Sequence, residues 1–217
     1  PRTPFDRSLS VENEYGFYQT ANLFVRRQTF EAVGGFRDWA LEQPRRRRWS
    51  ADRRRNRAMR TPIGEDTVFA WSARRQGSGS MFAPEAVVHH EVVQGTVWDA
   101  MADHWHWTRD MPGLVRLVPE LRRAAFYRRV FFGRWTAYFD LALAGVLSAL
   151  ITRRKLWLAA VVPYGRRVMR DADGYSFGRG VLAAERAVGY AIGTPAVDAV
   201  SLGGFLFGSI AWRCLVL

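Results

Sequence analysis

Apolar residues are distributed unevenly along the chain, and the character changes near Met111-Pro112-Gly113. Before that point short apolar stretches alternate with turn residues, which predicts strands and short helices; after it the spacing is helical and increasingly apolar. Val68, Phe69 and Trp71, followed by Gly77, read as a short amphipathic helix with a glycine stop. Further on lie three uncharged apolar runs, residues 141–151, 156–164 and 199–212. The first extends back through Trp135, Tyr138 and Phe139 but is interrupted by Asp140. A membrane-spanning helix needs about 20 apolar residues, and each run falls short. Trp135, Tyr138, Trp157, Tyr164 and Trp212 stand at the run edges beside arginines, a placement that predicts interfacial or re-entrant helices; core helices of a soluble protein are the competing reading.

Composition and charge refine this division. The chain has 217 residues, enough for one large or two small domains, and the pattern suggests a first region over residues 1–110 and a helical, membrane-associated region over 111–217. Its net charge of +12 suits a polyanion or an anionic membrane surface. Lys155 is the only lysine, and a codon bias accounts for the arginine excess as well as selection for phosphate binding does. Position is more telling. Arginines at 45–48, 53–55, 57 and 60 fill one segment that cannot bury itself and reads as a solvated insertion. Arg122-Arg123, Arg128-Arg129, Arg153-Arg154-Lys155 and Arg166-Arg167 flank apolar runs, as membrane-edge charges do. The single cysteine, Cys214, excludes an internal disulfide and a cysteine-rich metal site, and fits a reducing compartment. The first residue is Pro1 and no leader pattern precedes the ordered motifs, so the sequence reads as a piece of a longer protein without a signal peptide.

The segment Pro62-Ile63-Gly64-Glu65-Asp66-Thr67-Val68-Phe69-Ala70-Trp71 carries the candidate chemistry. It sets two acids at the mouth of the amphipathic helix, with Asp66 expected as the N-cap. Acidic residues are common in first turns, where the helix dipole favours them, so a plain capping role is the simplest account. A carboxylate there is also exposed, oriented and able to act as a base.

Its neighbours in sequence change the weighting. Upstream stand Asn22-Leu23-Phe24-Val25-Arg26-Arg27 and Phe30-Glu31-Ala32-Val33-Gly34-Gly35-Phe36. Downstream stands Phe82-Ala83-Pro84-Glu85-Ala86-Val87-Val88-His89-His90-Glu91. This ordered trio, over about residues 1–110, resembles the family 2 glycosyltransferases. The resemblance implies an α/β fold, a partial GT-A (nucleotide-diphospho-sugar transferase) half-domain on the acceptor side, followed by an α-helical membrane-associated region. It implies an inverting transferase that moves sugar from a nucleotide-sugar donor to a hydroxyl of a lipid-linked or cell-envelope glycan acceptor, at the cytoplasmic face of a membrane surface. Asp66 would be the catalytic base, Glu65 its neighbour positioning the acceptor, and His90, followed by Glu91, a ligand to a divalent cation, Mg or Mn, on the donor diphosphate. His89 lies one residue away, and in a strand only one of the two histidines can face the site.

The chain also departs from the family pattern. The donor half and an Asp-X-Asp in the nucleotide-binding position are missing, Val68 and Ser72 replace an acid and an Arg common in relatives, and the Gln-X-X-Arg-Trp signature of processive members is absent. The chain therefore reads as the acceptor and membrane portion of a larger enzyme, or as a degenerate remnant. His104-Trp105-His106-Trp107 is a secondary candidate on the acceptor side. Asp171-Ala172-Asp173-Gly174 lacks the further acids of a calcium loop and reads as a turn. Two non-catalytic readings remain: a basic module for a membrane or polyanion, and a partner subunit of a separate catalytic chain. Nucleic acid is not expected, because the arginines cluster in an insertion and beside apolar runs instead of alternating with exposed aromatics.

Overall fold

A computed structural model describes residues 5–6, 11–36, 63–89, 92–174 and 181–217. Seven α-helices are present among them: α1 (Arg27–Val33), α2 (Glu65–Arg75), α3 (Val97–Leu117), α4 (Leu121–Ala124), α5 (Arg134–Thr152), α6 (Val162–Gly174) and α7 (Val181–Trp212). Short 3-10 helices cover Thr20–Asn22 and Lys155–Val161. No strand or sheet occurs among the described residues, which overturns the expected α/β, partial GT-A half-domain. The reason is physical: β propensity is expressed only where a neighbouring strand supplies ladder hydrogen bonds. The chain does run extended after Asn22, with Leu23 at φ −112° and ψ 114°, and is irregular over 78–89, but nothing described pairs with it as a strand. Phe24 and Val87 accordingly stay exposed.

The molecule is organised around the packing of α7 on α3. Thr96 starts α3 with a capping box: its hydroxyl accepts the Asp99 N–H while the Asp99 carboxylate accepts the Thr96 N–H at 2.8 Å. Met111, Pro112 and Gly113, where the sequence changes character, lie inside this helix and are buried. Close approach is made possible by glycines. A Cβ on Gly113 would fall 2.5 Å from the Trp212 ring, and Cβ atoms on Gly204 and Gly208 would collide with Thr108 and with the Arg109 carbonyl. Met111, Leu114, Val115, Val118 and Leu121 then close with Phe126, Phe205, Trp212 and Val216 into the main core, each large apolar side chain contributing about 1.5–3 kcal/mol. The last residues are tied in by backbone bonds, Phe132 N–H to the Leu217 carbonyl (2.6 Å) and Leu217 N–H to the Val130 carbonyl (3.1 Å).

The C-terminal apolar runs sit in longer helices than their uncharged lengths predict. Residues 141–151 belong to the 19-residue α5, and residues 199–212 form the end of the 32-residue α7. Both helices are long and apolar enough to cross a membrane; 17 % of the α5 span is buried, against 39 % of the α7 span. After α5 the chain reverses at Arg153, which takes the left-handed conformation, and the 3-10 helix packs back along α5 at Gly145, where a Cβ would lie 2.6 Å from both the Trp157 carbonyl and the Ala160 side chain. α6 continues the return, with Tyr164 and Val168 against Ala142. Asp171-Ala172-Asp173-Gly174, expected as a turn, is the last turn of α6.

Candidate functional site

The site expected from sequence lies at the start of α2. Asp66 is not the N-cap: Gly64 is, at φ 90° and ψ 23°, and the helix opens with Glu65. Tertiary packing selects the glycine, since a Cβ there would stand 2.6 Å from Leu114 of α3 in addition to the backbone strain of the left-handed region. Asp66 occupies the second helical position, half-buried, where its carboxylate takes up orphan amides. Oδ1 accepts its neighbour's Thr67 N–H at 2.7 Å, and Oδ2 accepts the Thr20 N–H at 2.9 Å from the 3-10 turn. Both oxygens are thereby fixed, one from each side. Glu65, one residue earlier in the same turn, is half-buried.

The three sequence motifs are joined through α2 and Asn22. Phe69 of α2 is buried against Phe30 and Phe36, with ring centroids 5.4 and 5.2 Å away. Gly34 and Gly35 make that possible: both have positive φ, and Gly34 ends α1 as a left-handed cap. Asn22 Nδ2 donates to the Ala86 carbonyl at 2.9 Å, which joins the first motif to the third. The acceptor of the same amide, Asn22 Oδ1, is buried without a donor, and so is Gln19 Oε1 just before the Thr20 turn.

The rest of α2 is clamped. Trp71 Nε1 donates to the Gly16 carbonyl at 3.0 Å, and Arg75 makes a two-pronged pair with Glu120 at 2.8 and 2.7 Å. Arg74, Tyr18 and Ser80 converge on Glu14. The hydroxyls of Ser80 and Tyr18, joined by the Arg74 charge, hold the Glu14 carboxyl below its usual range, while burial pushes the Tyr18 phenol up. These bonds hold the middle and end of α2. Except for Tyr18 and Glu14, four residues apart, the sequence does not announce them, because their partners are 42 to 66 residues apart.

His90 and Glu91 lie outside the described residues, and His89 is exposed. Among the described residues no three His, Cys, Asp or Glu side chains group as they would around a metal ion. The His104–Trp107 cluster is dispersed by its helix. His104 Nδ1 lies 2.9 Å from Ser201 Oγ in the α3–α7 seam, Trp105 packs on Phe207, and Trp107 meets Phe132 edge-on at 4.3 Å. Burial pushes the His104 imidazole below its usual range, against the opposing influence of Asp103. His104, Trp105 and Trp107 are each engaged in packing.

A second polar group lies between α5, α6 and α7. Asp198 of α7 is buried, at 4 % exposure, and accepts the Tyr164 hydroxyl at 2.6 Å and an Arg167 N–H at 3.2 Å. Arg167 also pairs with Asp171 at 3.0 Å and lies over the Trp135 ring. Asp140 of α5 faces the same small gap, with Oδ2 buried and unpartnered. The only signal was an isolated acid in each apolar helix, Asp140 and Asp198.

Comparison with protein-family models, with curated proteins and with solved structures returned no match to this chain.

Proposed function

We propose that this chain is the acceptor-side and membrane-associated portion of an inverting glycosyltransferase of the family 2 type. One observation carries the reading: the Asp66 carboxylate is immobilised by two backbone amides at the start of a helix whose Phe69 packs on Phe30 and Phe36 of the glycine-glycine segment. In this reading an acceptor hydroxyl gives its proton to Asp66 as its oxygen bonds to the anomeric carbon of a nucleotide sugar. The bond from that carbon to the diphosphate breaks, and the leaving group departs with the electron pair, which inverts the centre. A positioned base contributes roughly 10²- to 10⁴-fold. Glu65 orients the hydroxyl-bearing acceptor, while the donor is bound by another part of the enzyme. The acceptor is a lipid-linked or cell-envelope glycan, and the apolar C-terminal helices keep the chain at the cytoplasmic leaflet.

The test is transfer of labelled sugar from nucleotide-sugar donors by membranes containing the polypeptide that carries this chain, with and without Asp66→Asn. Donor-dependent labelling of a lipid fraction that the variant abolishes is the expected result. Membranes that label equally with both forms would remove Asp66 as the base. Absence of labelling with every donor, together with retained membrane binding, would favour a non-catalytic membrane module.

A further inference from the structure

The two longest apolar helices qualify as membrane spans by length and composition, yet the fold constrains how α5 can meet a bilayer. α5 is one arm of a hairpin whose other arm is the 3-10 helix and α6. Depth along the two arms is shared: Ala160 lies against Gly145, and the Arg167 guanidinium lies over the ring of Trp135 in the first turn of α5. α6 carries Arg166, Arg167, Arg170, Asp171 and Asp173, so the charges of the return arm stand level with the start of α5. The stretch of α5 beyond Asp140 that is free of charge, residues 141–151, is only about 16 Å long, half of a hydrocarbon core of about 30 Å. Upright insertion of that stem would leave Arg153, Arg154 and Lys155 near the bilayer centre, a location that penalises each cation heavily.

The side chains point to another orientation. Leu143, Val146, Leu147 and Leu150 recur at i, i+3, i+4 and i+7 on the exposed side of α5, while Ala142 and Gly145 face the return arm. Leu150 is 71 % exposed and Leu156, just past the turn, 83 %. The helix thus turns its bulkiest apolar side outward, a surface that water does not stabilise. The basic residues of the turn follow directly, and no acid lies between Asp140 and Asp171 to neutralise them.

We infer that the hairpin tip, residues 141–162, is an in-plane anchor for an anionic phospholipid bilayer. The leucine stripe sinks into the acyl boundary of one leaflet, and Arg153, Arg154 and Lys155 lie among the head-group phosphates of that same leaflet. The inference rests on the membrane part of the proposed function and is independent of sugar transfer. Charge complementarity selects the occupant: an apolar stripe edged by unopposed cations matches a leaflet of anionic lipid.

The experiment uses the full chain added from outside to sealed vesicles of phosphatidylcholine, with or without phosphatidylglycerol. Flotation is expected to show binding that phosphatidylglycerol strengthens. Leu150→Asp, at an exposed position whose change leaves helix content unaltered, is expected to weaken partitioning about tenfold or more. Joint replacement of Arg153, Arg154 and Lys155 by Ala is expected to cost on the order of a hundredfold on anionic vesicles and little on neutral ones. A nitrobenzoxadiazole probe at Arg154→Cys, in a Cys214→Ser background, is expected to be quenched at once by external dithionite. A protected probe would mean that the hairpin crosses, and the inference would fall. Unchanged binding by the Leu150→Asp chain would overturn it too; a concentration-dependent dimer that the same change abolishes would then assign the stripe to a second copy. Failure of the unaltered chain to bind any vesicle would overturn the membrane reading itself.

Discussion

At the scale of single residues, Asp66 is defined by its two amide partners as much as by its charge. Replacement by Asn keeps one acceptor oxygen but turns the other toward an N–H as a donor, so a modest stability loss of about 1 kcal/mol is expected. Transfer should fall at least 10²-fold, because an amide cannot take the hydroxyl proton at neutral pH. Comparing melting temperature with turnover separates the two effects; a variant retaining more than about a tenth of the activity would exclude the base role. His104 supplies a second residue-scale expectation. Its folded pKa lies below the unfolded value because the ring is buried, so the unfolded chain binds the extra proton more readily. Stability is therefore full above about pH 6.5 and declines as pH falls through and below it. Glu14 and Glu120, held low by Ser80 and by Arg75 respectively, add their losses only as pH falls below the usual carboxylate range. Denaturant titrations of His104→Gln at pH 7 and pH 5.5 should show a flatter pH dependence than the parent. Asp66 was legible as an exposed acid at a helix mouth, but its N2 position was not, because Gly64 is chosen as cap by Leu114, 50 residues away.

At the scale of elements, the α3–α7 contact depends on glycines that sequence periodicity treats as neutral. Gly204→Ala and Gly208→Ala each push a methyl into α3, at Thr108 and at the Arg109 carbonyl, and overpacking of this kind costs about 1–3 kcal/mol. Gly189, on the same helix with nothing within 4 Å of an added Cβ, is the control: its change to Ala should stabilise by about 0.5–1 kcal/mol through helix propensity. Thermal melts of the three variants check the sign as well as the size, and a destabilised Gly189→Ala would show that α7 is packed on that side as well. The α2 helix was readable from Val68, Phe69, Trp71 and the glycine stop because its signal is local. The lengths of α5 and α7 were not, since their polar flanks are helical only through neighbours: Asp198 is tolerated inside α7 because Tyr164 and Arg167 bond to it. The expected strands failed for the converse reason, having no described neighbour to pair with.

At the scale of the whole molecule, the regions before and after residue 110 each bury their own cluster, Val33 with Phe69, Ala70 and Ala73 in the first and Leu114 and Val115 with Phe205, Trp212 and Val216 in the second, and they are joined where partly buried Val68 and Trp71 of α2 pack on the second. The helix that carries Asp66 is therefore supported through α3 by the C-terminal helix. Removing residues 181–217 would bare this face of α3, together with the glycine at 113 that Trp212 covers. A single large-to-small change in such a core costs about 2–5 kcal/mol, and a domain of this size is stabilised by only about 5–15 kcal/mol in total. Loss of three buried anchors at once thus exceeds what the remainder can bear. The chain ending at residue 180 is expected to be insoluble or to lack a cooperative melt, while Leu150→Asp, on the exposed stripe, leaves the melting temperature unchanged. Expression of both, followed by calorimetry of the soluble fraction, checks the pair. A truncated chain that stays soluble with a sharp transition would show that α2 and α3 form a self-sufficient unit, and the mechanical link between the membrane-facing helices and the Asp66 carboxylate would then be lost.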